Sequence, residues 1–327
     1  MKLRGIDFGS ILDASGAEGF FGEGYRHHKL LGPFGPNFLG CTFVAKTTTL
    51  EYCKGNMPMR EDGITPVELR PRCILPNFRH GNIRLSARMF RDCYMLNAVG
   101  LSGPGADALF RDGRWQARTT PFFLSFMAIA KTAEERAEEL KRFVRLFASY
   151  LPQFHAPVGL QVNKSCPNRG LNLDPLVDEA RNDLVITAPL DVPVMFKFNV
   201  LTPIPAVKAI AESPGCDALC ISNTIGFDKA PDKIDWKKLF GSDVSPLAEF
   251  GGGGLSGRPL RNLALTWLND ARNAGIAVPI NAGGGILDTD DVQLFRDYGA
   301  SSAFVGSVAN LRPLRVQSII KTAKRLF

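Results

Sequence analysis

The feature that most limits how this chain can fold is a recurrence. Eight short apolar runs, rich in β-branched and aromatic residues, end in glycines or in small and amide side chains, and most are followed by a helical stretch. They fall at 11–15, 39–46, 122–127, 158–164, 194–198, 218–223, 278–283 and 302–306. Alternation of this kind points to a parallel sheet with crossover helices. Eight such units in roughly 250–330 residues fit an α/β architecture of one kind, the (β/α)8 TIM barrel. That fold binds its ligands at the C-terminal ends of the strands, and the polar and glycine clusters that close these runs fall at such ends. The expectation is one barrel domain over 1–327. An Arg- and Pro-rich excursion at about 51–95 lies on the C-terminal face of the strands.

The run at 158–164 delivers the densest chemistry, Asn163-Lys164-Ser165-Cys166-Pro167-Asn168. Two amides can read the edge of a flat polar ring, and a thiol can lose its proton near neutral pH if its surroundings favour the thiolate. The six residues alone favour a buried structural cysteine and two turn-making asparagines, and the rest of the chain changes the balance. The ends of the last two runs, Gly283-Gly284-Gly285 and Gly306-Ser307, fall where this fold usually holds phosphate. Backbone N–H groups at a helix N-terminus suffice for that, although tight turns also use glycine. Gly103-x-Gly105-x-x-Ala108 imitates a dinucleotide fingerprint, but Pro104 sits in the turn and no strand with a terminal acid follows at the usual distance. The clearest helix runs from Ala133 to Tyr150, with Leu140, Phe143, Val144 and Phe147 on one face. Thr132 and Glu135 are spaced as its capping box.

Composition narrows the function. The formal charge is +7, yet Lys and Arg are scattered, with no aromatic-rich basic stripe of the nucleic-acid kind. Such a balance suits anionic phosphate and carboxylate ligands. The 7 cysteines are odd in number and include no CxxC pair, so neither a disulfide framework nor a structural zinc or other metal site is expected. No run reaches membrane-spanning length, and the first residues hold no apolar leader. A reducing, cytoplasmic setting without membrane contact is the expectation.

Several of these stretches together resemble the dihydroorotate dehydrogenase family. They are Ala14-Ser15-Gly16, Ala45-Lys46-Thr47-Thr48-Thr49-Leu50, Gly55-Asn56, Asn97-x-x-Gly100-Leu101, Asn163-x-Ser165-Cys166-Pro167-Asn168, Lys197, Ser222-Asn223-Thr224, Gly254-Leu255-Ser256-Gly257-Arg258-Pro259-Leu260, Gly284-Gly285-Ile286 and Val305-Gly306-Ser307, in the family's order. The resemblance implies an FMN-containing barrel that oxidises dihydroorotate to orotate in pyrimidine biosynthesis. It assigns Cys166 as general base, which places the chain with the soluble, cysteine-type class. Lys46 would pair with the substrate carboxylate. Asn97, Asn163, Asn168, Asn223 and Thr224 would hydrogen-bond the pyrimidine. Ala14, Ser15 and Gly16 would border the flavin, and Lys46, Thr47, Asn163 and Ser222 would touch it. Lys197 would stabilise the reduced ring, and Gly257, Gly284, Gly285, Gly306 and Ser307 would line the phosphate. The family also implies a homodimer, and an iron–sulfur flavoprotein subunit if NAD is the final acceptor. Fumarate and a quinone are the other acceptors left open.

Two departures stand out. Ser102-Gly103 replaces the Pro-Asn that often follows Gly-Leu, and Asn199-Val200-Leu201-Thr202-Pro203 is an unusual sequel to Lys197. A related flavin barrel acting on uracil-like rings, similar to the pyrimidine-reducing domain of dihydropyrimidine dehydrogenases, is the alternative. A non-catalytic barrel that keeps its phosphate-binding face is a third reading.

Overall fold

The computed structural model describes residues 1–77, 92–164 and 173–327. A seven-stranded parallel sheet runs in the order Ile11–Asp13, Ser302–Val305, Ile280–Ala282, Ala218–Ile221, Val194–Phe198, Val158–Asn163, Phe122–Phe126. Residues 42–48 join its two edges. Thr42 bridges Leu12 on one side, and Val44 and Thr48 bridge Phe123 and Phe126 on the other, all parallel. Thr42 N–H donates to Ile11 O, Ala45 N–H to Phe123 O and Thr48 N–H to Ser125 O, each at 2.9 Å. The barrel therefore closes through its eighth position. The run expected at 39–46 starts later, because Cys41 N–H turns back onto Phe38 O at 2.8 Å.

The alternation of side chains along a strand sets the interior. Leu12, Val44, Phe123, Met195, Cys220 and Phe304 pack together in one buried cluster. The first strand-like run comes earlier than Ile11. A hairpin pairs Lys2–Leu3 with Ile6–Asp7, turning through Arg4 and Gly5, both at positive φ, as a two-residue type I′ loop requires. It sends Leu3 and Phe8 into the same cluster, and the Phe8 ring lies 4.3 Å from that of Phe123. Two-residue strands are too short to show a period, so this plug was not legible.

The helices cover the outside with their apolar faces. Ala133–Tyr150 buries Leu140, Phe143, Val144 and Phe147. Its capping box is present, with Glu135 N–H donating to Thr132 Oγ1 at 3.2 Å and Thr132 N–H to Glu135 Oε2 at 3.1 Å. The other long helices are Leu173–Thr187, Arg258–Asn273 and Val316–Leu326. Gly105 precedes a short helix, Ala106–Asp112, and a Cβ there would lie 2.8 Å from Glu51 C. The dinucleotide lookalike is thus a packing contact.

A second sheet accompanies the excursion. Ile225–Gly226, Gly254–Gly257, Tyr94–Asn97 and Ile74–Asn77 form four antiparallel strands in that order. The excursion supplies only two of them. The glycine-rich stretch after Phe250 supplies another, because Gly254–Gly257 takes its register from Asn97–Tyr94. Gly257 joins this strand to the helix Arg258–Asn273 at φ +98°, and a Cβ there would stand 2.7 Å from Tyr94 Cα and 2.8 Å from Cys93 O. A side chain is both strained and crowded at such a point. Gly257→Ala is expected to lower stability by about 1–3 kcal/mol, seen as a fall in melting temperature. An unchanged melting temperature would contradict this account of the junction.

Candidate active site

One step of the strand alternation beyond the interior cluster brings the chain to a cavity of about 440 Å³ at the C-terminal mouth of the barrel. Leu12 is followed by Ala14, Val44 by Lys46, Met195 by Lys197, Cys220 by Ser222 and Phe304 by Gly306. The first of each pair plugs the barrel and the second lines the cavity. Period two thus converts an apolar core layer into a polar floor.

Ala14, Ser15, Gly16, Lys46, Thr47, Asn97, Asn163, Lys197, Ser222, Asn223, Thr224, Gly284, Gly285, Gly306 and Ser307 all line this one cavity. Gly257 stands just behind the wall, between the lining residues Ser256 and Leu260. Its carbonyl oxygen is 2.8 Å from where a Gly285 Cβ would be. Cys166 and Asn168 lie outside the described residues. The strand that leads to them, Val158–Asn163, ends in the cavity wall at Asn163.

Two lysines dominate the electrostatics. Lys46 is 6 % exposed and Lys197 5 %. Burial pulls the Lys46 ammonium down to about 8 and also lowers Lys197. Lys46 Nζ donates to Ser102 O at 2.5 Å and lies 4.6 Å over the Phe20 ring. The Ser102-Gly103 departure therefore has a defined place. Its hydroxyl donates to Val99 O at 3.0 Å and accepts from Met57 N–H at 2.9 Å, leaving its carbonyl for Lys46. A buried ammonium on a neutral carbonyl is well placed for an anionic ligand, since buried charges require pairing.

The amides are held by one another. Asn223 Nδ2 donates to Asn163 Oδ1 at 3.3 Å, and Asn223 Oδ1 accepts from Thr224 N–H at 2.8 Å. A hydrogen-bonded chain links Ser15 Oγ to Thr47 Oγ1 at 2.6 Å and Thr47 Oγ1 to Ser125 Oγ at 2.9 Å. Ser125 Oγ then donates to Gln161 Oε1 at 3.2 Å. It ties the loop after the first strand to three neighbouring segments. Behind that loop, Asp13 accepts from Val44 N–H. Burial and the neighbouring Glu18 hold the Asp13 carboxyl well above its ordinary range, while burial lifts Glu18 to about 7. Arg118 stacks at 3.9 Å on Phe43 beside them.

Tyr25 and Asn310 also line the cavity and were missed from sequence. Tyr25 Oη donates to Gly16 O at 3.0 Å. The Nε2 atoms of His27 and His28 lie 2.9 and 3.1 Å from Asn310 Oδ1. Burial lowers His28 to about 4, so its ring is neutral. The usable signal was position: both residues sit in the loop or helix that follows a barrel strand, where this fold places its site.

A barrel whose C-terminal mouth gathers buried lysines, amides and glycine turns on its last two strands defines a class, that of (β/α)8 proteins built to hold a phosphate-bearing ligand there. Residues 73–326 match the dihydroorotate dehydrogenase family. The catalytic subunit of dihydroorotate dehydrogenase B (NAD(+)) from Anoxybacillus flavithermus is 33% identical over 233 residues, covering 69% of this chain and 68% of that protein. The corresponding subunit from Bacillus mycoides is 30% identical over 238 residues, covering 69% of each. Dihydroorotate dehydrogenase A (fumarate) from Lactiplantibacillus plantarum is 29% identical over 235 residues, covering 69% of this chain and 70% of that protein. The chain belongs to the dihydroorotate dehydrogenase family. Among the described residues no helix is long and apolar enough to cross a membrane.

Proposed function

We propose that this chain is an FMN-dependent dihydroorotate dehydrogenase of pyrimidine biosynthesis with Cys166 as its general base. The observation that carries the reading is the convergence of Lys46, Lys197 and the Asn163–Asn223 pair on one cavity. Its volume of about 440 Å³ lies within the range of roughly 300–1,000 Å³ usual for small-ligand sites.

The residues present suit a flavin mononucleotide. A Cβ on Gly306 would stand 2.7 Å from Ala14 Cβ, so glycine is needed there, and Gly306 and Ser307 line the cavity where backbone N–H groups would hold a phosphate. Lys197 is a buried cation in the cavity wall and would face a ring that gains negative charge on reduction. When bound, the flavin supplies the hydride acceptor that no side chain can provide.

The chain's own groups do the rest. Lys46 holds the substrate carboxylate. Asn97, Asn163, Asn223 and Thr224, with Asn168, orient the pyrimidine while staying neutral. Cys166 takes the C5 proton, and as a general base it must come within hydrogen-bond reach of that proton. The cytoplasm is the proposed setting and a homodimer the proposed assembly. Relatives named as catalytic subunits of the NAD(+)-linked enzyme support a second subunit as this chain's partner, and the family resemblance implies that it is an iron–sulfur flavoprotein.

Lys46 favours a carboxylate-bearing ring over uracil. Anaerobic mixing of the flavin-loaded protein with dihydroorotate is expected to bleach the visible flavin absorption. Orotate, rather than uracil, is expected to compete. Flavin that stays oxidised, or preferential competition by uracil, would refute the assignment.

A further inference from the structure

Lys164 lies next to the Cys166 segment and carries an arrangement the proposed reaction has not used. Its backbone N–H donates to Lys197 O at 2.9 Å, so its main chain still belongs to the barrel. Its side chain turns outward and is 10% exposed, with Nζ 2.6 Å from Glu179 Oε1 and 2.6 Å from Asp183 Oδ2. Both acids are on the helix Leu173–Thr187, which follows the Cys166 segment. Glu179 is also gripped by Arg136, through Nε at 2.9 Å and Nη2 at 2.6 Å. Arg136 Nη1 in turn donates to Ala130 O and Lys131 O, each at 3.0 Å, in the loop that follows the strand Phe122–Phe126. Met127, at the start of that loop, lines the cavity.

We propose that Lys164, Glu179, Asp183 and Arg136 form a positioning network that ties together the two stems of the Cys166 segment and the neighbouring loop, and thereby sets where the general base stands. The proposal rests on the reading of Cys166 given above. The two stems are the residue that follows the barrel strand Val158–Asn163 and the middle turns of the helix Leu173–Thr187, where Glu179 and Asp183 lie. Lys164 joins them directly, and Arg136 carries the link to a third element. All four side chains are largely withdrawn from water, where ion pairs are screened least. Burial would raise Glu179, but Arg136 and Lys164 bring it down to about 2. Burial lifts Asp183 to about 6, with Lys164 opposing the rise. Lys164 is thus the cation shared by both acids, and removing it leaves a buried carboxylate uncompensated. A displacement of about 1 Å in a reacting group can cost on the order of a hundredfold in rate, so such a network need not touch substrate to matter.

The test uses flavin-loaded Lys164→Met/Asp183→Asn, in which no acid is left buried without its cation, beside Lys164→Arg and wild type. Two readouts are taken: anaerobic flavin reduction by dihydroorotate, and alkylation of Cys166 by iodoacetamide across neutral to alkaline pH, quantified on its peptide. The double variant is expected to reduce its flavin about tenfold to a hundredfold more slowly. Half-saturation should change less, the alkylation profile should move, and Lys164→Arg should restore both. A double variant with wild-type reduction and a wild-type alkylation profile would overturn the proposal. So would equal changes in Arg4→Met, which breaks an ion pair with Asp217 (2.9 Å) at the turn of the N-terminal hairpin, outside the cavity lining. If wild-type flavin is not reduced by dihydroorotate, the functional reading fails, and the alkylation profiles still decide the network.

Discussion

Cys166→Ala holoprotein, mixed anaerobically with dihydroorotate at neutral pH, is expected to keep its flavin and to reduce it on the order of 10²–10⁴ times more slowly than wild type. That is the usual contribution of a positioned general base. The residue type matters because a thiol of pKa about 8.5 needs only a modest lowering to work near neutrality. Other cysteines are poor substitutes: burial pushes Cys73, Cys93 and Cys220 up to about 11 and Cys216 up to about 12. None of these four is a base at neutral pH. Cys166→Ser keeps a proton acceptor, but one of much higher pKa, so its rate should recover only as the pH rises. Stopped-flow traces of flavin reduction against pH provide the check. If the alanine variant reduces its flavin at the wild-type rate, Cys166 is not the base.

Most of the barrel was legible because its signal is repeated. Seven of the eight expected runs are ladder strands, and polar residues at their ends face the cavity, inside the ladder at Asn163 and Lys197 and just past it at Ser222 and Gly306. The step from Val44 to Lys46 or from Met195 to Lys197 is period two alone, readable without coordinates once the barrel is assumed. What escaped reading is what has no period. The hairpin Lys2–Leu3/Ile6–Asp7 is four paired residues. The strand Gly254–Gly257 has two glycines in four residues and is extended between two partners, Tyr94–Asn97 and Ile225–Gly226. Tyr25 and Asn310 reach the site from segments whose place depends on the whole fold, through contacts such as His28 with Asn310 across 282 residues of chain. Local propensity carries no trace of such a contact. The roles of individual site residues came from the ordered resemblance, and the parity of the strands explains why those positions share one cavity.

Lys46→Met is expected to weaken orotate binding by roughly 10²–10³-fold while the flavin stays bound. Truncating one partner of a buried charge pair costs about 2–5 kcal/mol, and each 1.4 kcal/mol is a factor of ten. The same lysine predicts a pH dependence whose direction follows from its burial. In the empty site desolvation holds Lys46 at about 8, and a carboxylate beside it would raise that value. Below pH 8 the ammonium is already charged and binding needs no proton. Above it, each orotate bound must bring in a proton, so the dissociation constant should climb with pH, approaching tenfold per unit. In Lys46→Met the climb should disappear, because no group remains to be recharged. Uracil, which lacks the carboxylate, should show neither the climb nor the loss on substitution. Titration of flavin absorbance with each ligand across this range separates the cases. A wild-type orotate affinity that is flat through pH 8 and beyond, or equal losses for orotate and uracil, would take the carboxylate contact away from Lys46. Because Lys46 Nζ rests on Ser102 O at 2.5 Å, the ammonium is aimed before any ligand arrives. The loss should therefore appear in affinity more than in the rate of flavin reduction at saturating dihydroorotate.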